Sequence, residues 1–294
     1  MKKIIGKRLV VALFFCTVIF QPTQGQIGIG TTKPEGALHL KSNSEGFIIP
    51  RVALNAKNIE SPVINPNGGN LVEGTIVYNT SKTKLGANDL FPGIYAWSGT
   101  QWNPQFKMDD YQKFTQSPLD QRTIIRQNYS TPRPDQADNV DGLTNQIFKP
   151  KYSGTYKIEV KTNFAAGKIN DFTSLDNISL ATMEGAFFFK MAGPGVNINP
   201  ASGTYDYQKG WMYTHSYSSH SQSEIPAIES YAVPHFQAVV HYVYVLADET
   251  YIFNLSNCII TGHDYFVNNG DTGEGQGHIG HDIPCTIEFT YIGD

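Results

Sequence analysis

Charge is scarce in this chain. Asp, Glu, Lys and Arg together make up 16% of 294 residues, and the formal net charge is −4. A surface that neutralises phosphates needs a basic surplus, so nucleic acid is excluded as a partner. Cysteine is scarcer still, at 3, and none lies in a setting that marks a nucleophile. There is no Gly-x-Ser-x-Gly elbow. Gly28-x-Gly30 lacks the third glycine of a dinucleotide fingerprint, no strong strand precedes it and no helix follows. No pair of carboxylates is assigned to glycoside cleavage by spacing alone. These absences point away from an enzyme. Aromatic residues, by contrast, are plentiful, with 16 Tyr and 17 Phe. Low charge with many aromatics suits a β-rich exported protein and not a disordered one.

The first 25 residues read as a secretory signal peptide. Lys2, Lys3, Lys7 and Arg8 form a basic start, and Leu9 to Phe20 is an apolar run. At about 12 residues that run is too short to cross a bilayer. Thr23 and Gly25 supply small residues at a cleavage site before Gln26. The alternative is an uncleaved anchor. Cleavage takes Lys+Arg from 22 to 18 against 26 acidic residues, a net charge near −8. The expected product is secreted or held at the cell surface, with no transmembrane span after cleavage.

The strongest structural signal is a period of two. In Cys285 to Asp294, Ile287, Phe289 and Tyr291 alternate with Thr286, Glu288 and Thr290. The same pattern sets Tyr156, Ile158 and Val160 against Lys157, Glu159 and Lys161, and returns in Tyr251, Phe253 and Leu255. Alternation of this kind marks half-buried strands. The expected class is all-β, a β-sandwich over 151–294 preceded by a small loop-rich β segment over 26–106. Residues 107–150 read as a polar linker carrying the first strand of the next domain, with a short helix around 109–116 as one option. Pro194 to Ile228 reads as a polar surface excursion. Phe236 to Leu246 is almost continuously apolar, as in a strand covered on both faces.

Within 26–106, Gly28-Ile-Gly-Thr-Thr-Lys-Pro34, Gly46-Phe-Ile-Ile-Pro-Arg-Val52, Val77-Tyr-Asn-Thr80 and Pro92-Gly-Ile-Tyr-Ala-Trp97 occur in that order. The set resembles the N-terminal segment of exported cell-surface proteins of Bacteroidetes-type bacteria, and more distantly the stalks of phage tail fibres. Pro92 to Trp102 reads as a β-hairpin with a three-residue connection. Few of these strands bury much surface alone, so they pack sparingly or gain partners from other chains.

Farther on, Ser153-Gly-Thr-Tyr156 starts a strand after Pro150, Ala247-Asp-Glu-Thr250 turns into Tyr251-x-Phe253-x-Leu255, and the terminal strand ends near Gly293. This set resembles the jelly roll shared by the complement C-one-q globular head and tumour necrosis factor. The resemblance implies a homotrimer with aromatics at its axis. Tyr244, Tyr251, Phe253 and Phe289 are the candidates, the other reading being ordinary sandwich core.

Three clusters carry candidate chemistry. Cys258 and Cys285 flank a long polar loop. A disulfide between them would staple its base, contributing roughly 3–4 kcal/mol in the chain-entropy model; the other reading is two small buried residues. The loop between them holds His263, Asp264, Asp271, Glu274, His278 and His281, followed by Asp282. Imidazole with carboxylate suits zinc and oxygen alone suits calcium, while a solvated glycine-rich loop is the alternative. Otherwise no cofactor is expected. The excursion carries Tyr205, Tyr207, Trp211, Tyr213 and His215, a set suited to stacking on sugar rings or to protein contact. Packing onto the protein's own sandwich explains the same composition. The leading expectation is a surface recognition or adhesion protein that binds a glycan or protein as a trimer. The alternatives are a purely structural module of a fibre-like assembly and a metal-dependent hydrolase on a jelly roll.

Overall fold

The structure is a computed structural model that describes residues 25–128, 130, 132–167, 179–200, 211–221, 228–230, 235–261 and 276–293. The chain divides into two compact units, 1–50 and 51–294. In the first, β1 (Ile27–Ile29) lies parallel to β2 (Leu38–Leu40), with Ile27 opposite Leu38 and Ile29 opposite Leu40. Two strands of three residues cannot make a core. Ile27, Ile29, Leu38, Phe47 and Ile48 accordingly remain more than half exposed.

The second unit opens with a four-stranded sheet. It comprises β3 (Arg51–Val52), β4 (Ile76–Asn79), β5 (Gly93–Trp97) and β6 (Trp102–Pro104) in that order. Trp97 and Trp102 face each other across the hairpin, their rings 5.2 Å apart. Four residues connect them, one more than expected, closed by the Ser98 N–H donating to the Gln101 carbonyl at 2.9 Å. Leu54, Leu71, Val77, Leu90 and Tyr95 complete this small core. Buried Asn79 ties its loops together. Its Oδ1 accepts the Leu54 N–H at 3.0 Å, and its Nδ2 donates to the Phe91 carbonyl at 2.9 Å. Satisfied in both roles, it costs little to bury.

This sheet rests on the end of a large sandwich. Phe91, Tyr152 and Ala247 form a shared cluster, with the Phe91 and Tyr152 rings edge to face at 4.8 Å. Ser153 Oγ donates to the Asp89 carboxylate and accepts the Ala247 N–H. Lys82 reaches Asp248 at 2.5 Å. Residues 51–106 are thus part of the same compact unit as the sandwich.

The sandwich strands are β7 (Tyr111–Thr115), β8 (Gln121–Thr123), β9 (Arg126–Asn128), β10 (Asp138–Asn139), β11 (Gln146–Phe148), β12 (Gly154–Ala165) and β13 (Ser179–Gly193). They continue with β14 (Val196–Ile198), β15 (Trp211–Ser221), β16 (Ile228–Ser230), β17 (His235–Val245), β18 (Tyr251–Thr261), β19 (Gly277–Ile279) and β20 (Thr286–Gly293). One sheet runs β7-β20-β12-β19-β8, with β17 on the other side of β12. The second runs β10-β18-β13-β15-β16, with β9 and β11 also on β18 and β14 on β13. From β11 onward the chain passes repeatedly between the two sheets, which makes the sandwich a jelly roll.

Alternation places the core as the sequence implies. Tyr156, Ile158 and Val160 of β12 and Ile287 and Phe289 of β20 meet Phe187, Phe189, Phe253 and Leu255 from the opposite sheet, all essentially inaccessible. Phe148 stacks on Phe289 at 3.9 Å. On the outer face, Glu288 lies 2.9 Å from Lys161 and 3.6 Å from Lys113.

Four expectations change. Residues 111–115 form an edge strand and not a helix, because β7 pairs with β20 and sends Phe114 into the core. The supposed excursion after Pro194 contains β15, a sheet strand paired with β13 from Ser179 opposite His220 to Phe188 opposite Trp211. Its polar residues include Thr214 and Ser216, which are buried. Among the described residues β17 is covered on one face only: Val239 and Val243 turn inward, whereas Phe236, Val240, Tyr242 and Tyr244 are 58%, 40%, 65% and 41% exposed. Finally, Cys258 and Cys285 are both free. Cys258 lies on β18 in one sheet and Cys285 leads into β20 in the other, and they belong to separate hydrophobic clusters.

Burial pushes both thiols up to about 12. A thiol reagent should therefore find neither Cys258 nor Cys285 in the native chain and both after denaturation without reductant. A disulfide would hide them in either state. Burial also raises the Glu288 carboxyl, but Lys161 and Lys113 outweigh it and hold the group below its ordinary 4.5. Its contribution is present above that value and lost as the pH falls through the lowered one. Glu288→Gln should cost under about 1 kcal/mol near neutrality, and urea unfolding should show the gap to wild type closing below pH 4.5.

Candidate functional site

Where the chain re-enters the described structure at Gln276, residues 277–285 are clamped between β12 and the turn that follows β7. The Gln116 N–H donates to the Cys285 carbonyl at 2.9 Å, and the Cys285 N–H returns to Gln116 Oε1 at 3.2 Å. Gln116 Nε2 donates to the Ile279 carbonyl at 3.0 Å. Gly280 has φ +70°, and a Cβ there would stand 1.8 Å from Gln116 Oε1, so a larger residue would be strained and would displace the Gln116 amide from its hydrogen bonds. The Gly280 N–H donates to the Asn163 carbonyl at 2.8 Å, and its own carbonyl accepts the Asp120 N–H at 3.0 Å. Asp120 is left-handed, at φ 58°. Aspartate tolerates that region better than most side chains.

This clamp brings three polar side chains together. His278 on β19 and His281 just beyond it are buried, and each places Nδ1 at 2.8 Å from Asp120 Oδ1. A carboxylate accepts and never donates, so both imidazoles present Nδ1–H to it. The rings lie 6.0 Å apart at 70°. Asp282 stands 3.6 Å from the far nitrogen of His281. Burial raises the Asp120 carboxyl, but the two histidines outweigh it and lower it below the usual carboxylate value. The ligand atoms of Asp120, His278 and His281 all fall within 4.8 Å of one another.

Of the six metal candidates, His278 and His281 meet here, while His263, Asp264, Asp271 and Glu274 lie outside the described residues. Asp120 was missed. It is 158 residues from His278 and belongs to no polar cluster of its own. Its one local sign was its place at the end of the Ser117-Pro118-Leu119 turn.

Among the aromatic candidates, Tyr205 and Tyr207 lie outside the described residues, and Trp211 and Tyr213 belong to β15. The His215 ring of β15 lies 4.7 Å from that of His235 on β17, tilted by 31°. Burial, then the neighbouring His235, lowers its imidazole pKa. Tyr251, Phe253 and Phe289 cannot line an axis between chains, because each is sealed in the core of one protomer. Tyr251 also has its hydroxyl engaged, accepting the Leu246 N–H at 2.8 Å and donating to the Pro194 carbonyl at 3.2 Å. Tyr244 alone of the four reaches the surface, beside Tyr242 and Val240 on β17.

The N-terminal strands, with their uncovered apolar side chains, coincide with a recognisable region. Residues 28–117 match the phage tail like trimerisation region. The match takes in under a third of the chain and supports a β-rich structural or fibre-like module that self-associates as a trimer. It points to assembly rather than catalysis. No curated protein matches the chain. No helix among the described residues is long and apolar enough to cross a membrane.

Removing the Asp120 carboxylate leaves two buried imidazole donors without their acceptor. That loss should cost roughly 1–3 kcal/mol. Asp120→Ala should lower the urea midpoint accordingly, whereas Asp120→Asn, which keeps an acceptor and tolerates the left-handed backbone, should lower it less. Equal losses would assign the effect to the backbone turn instead of the histidines.

Proposed function

We propose that this is an exported cell-surface recognition protein of the adhesion type, acting as a homotrimer whose jelly roll presents a glycan- or protein-binding surface. The observation that carries the reading is the outer face of β17. Phe236, Val240, Tyr242 and Tyr244 form an exposed apolar stripe on a strand that, among the described residues, pairs on one side only, with β12. A long, apolar edge strand invites association unless something covers it. A sequence apolar on both faces, yet covered on one, fits a strand whose second cover is another copy of the chain. The trimerisation match and the uncovered Ile27, Ile29 and Leu38 support the same assembly from the N-terminal side.

The likeness to complement C-one-q and tumour necrosis factor heads belongs to this reading, as does export through the N-terminal segment. Three heads on one stem multiply weak sites into avidity without new contacts at any one of them. A second reading, a purely structural module of a fibre-like assembly, draws on the trimerisation match itself.

Light scattering on the chain starting at Gln26 should give three chains per particle. Val240→Glu combined with Tyr242→Glu should shift the mass toward one chain while the far-ultraviolet spectrum stays that of a β protein. An unchanged trimer would remove β17 from the interface, and a wild-type monomer would end the reading. Glycan and protein arrays probed with the trimer separate recognition from a purely structural role, which leaves them blank.

A further inference from the structure

We propose that Asp120, His278 and His281 bind a first-row divalent cation of the zinc type. Two imidazole nitrogens and one carboxylate oxygen, held on separate backbone segments, make an N₂O donor set. Such a set selects zinc and its neighbours and is too nitrogen-rich for calcium or magnesium. The frame already exists: Gln116, Asn163 and Gly280 fix the backbones that carry all three ligands. Both rings are buried, while the Asp120 side chain is 47% exposed and leaves a path for the ion.

Two features bear on how an ion would enter. One carboxylate oxygen serves both Nδ1 atoms at 2.8 Å. An ion bound at about 2.0–2.2 Å to each atom in a tetrahedral arrangement needs ligand separations of roughly 3.3–3.5 Å, so the Asp120 oxygen would have to withdraw from its 2.8 Å contacts, the three ligand atoms lying within 4.8 Å of one another. In addition, His281 stands between two carboxylates, Asp120 at Nδ1 and Asp282 at Nε2. A neutral imidazole has one N–H and can serve only one of them. A metal ion at Nδ1 replaces the proton facing Asp120, and Asp282, 3.6 Å from Nε2 and beyond direct hydrogen-bond distance, adds a negative charge on the far side of the ring. Each neutral ring keeps its one proton, which moves by way of solvent from Nδ1 to Nε2 as the ion takes the Nδ1 lone pair. Cys285 takes no part, since its thiol is turned into the sandwich core.

The test is titration of Co²⁺ into the chelator-treated chain from Gln26, followed by displacement with Zn²⁺. One equivalent should bind, giving visible ligand-field bands without thiolate charge transfer, and Ca²⁺ should not compete. His281→Gln and Asp120→Asn should each weaken binding by tenfold or more, and Asp282→Asn by less. If a variant fails to fold, the unmodified chain decides the matter. Zn²⁺ should protect His278 and His281 from diethyl pyrocarbonate, read by peptide mass spectrometry. Absence of Co²⁺ bands, binding that the variants leave unchanged, or histidines modified equally with and without Zn²⁺ would each overturn the proposal. These outcomes do not depend on whether the chain is a trimer.

Discussion

The sandwich depends on the register of β12. Its inward residues Tyr156, Ile158 and Val160 face Tyr291, Phe289 and Ile287 on β20, and Val243, His241 and Val239 on β17. A slip of one residue would turn all of these side chains to the opposite face. The outward set, Lys157, Glu159 and Lys161, would then enter the core. Tyr156 pins the arrangement from one end, its hydroxyl donating to Asp110 at 2.6 Å while Asp110 also accepts the Lys151 N–H at 2.8 Å. Burial, joined by the Asp110 carboxylate, raises that phenol far above its ordinary value. It stays a donor at any ordinary pH.

Much of this architecture was legible because alternation is a local signal. β12, β18, β20 and the hairpin of β5 and β6 all stand where the pattern of apolar residues puts them. The pattern failed where it was thin. β7 has one core residue, Phe114, too few to reveal a period, and β15 is rich in Ser, Thr and His, which read as loop. Its strand character comes from its neighbour β13, which no local window contains. The apolar run of β17 was recognised as a strand, but its apolar composition does not tell which face the sandwich covers, and Phe236, Val240, Tyr242 and Tyr244 stay exposed.

The candidate site shows a different limit. His278 and His281 stood out because they are three residues apart in a polar segment, whereas Asp120 joins them only through the fold. The cysteines failed for a related reason. Their positions at strand ends implied a shared ladder, but adjacent stretches of a jelly roll alternate between sheets, so nearness in sequence order put Cys258 and Cys285 on different layers. The contact that holds His278 and His281 runs from Asp120 in the turn after β7, far away in the sequence.

The seat of the four-stranded sheet on the sandwich has a mechanical meaning. Ser153 stands just before β12, and Ala247 and Asp248 just after β17, so Phe91, Asp89 and Lys82 grip the sandwich where those two paired strands begin and end. Tension entering at residue 51 therefore reaches the strand with the exposed stripe through side chains as well as through the backbone. The joint spreads the load across a packed surface instead of a single covalent tether. The four-stranded sheet seated in this way tilts with the sandwich and does not swivel on it.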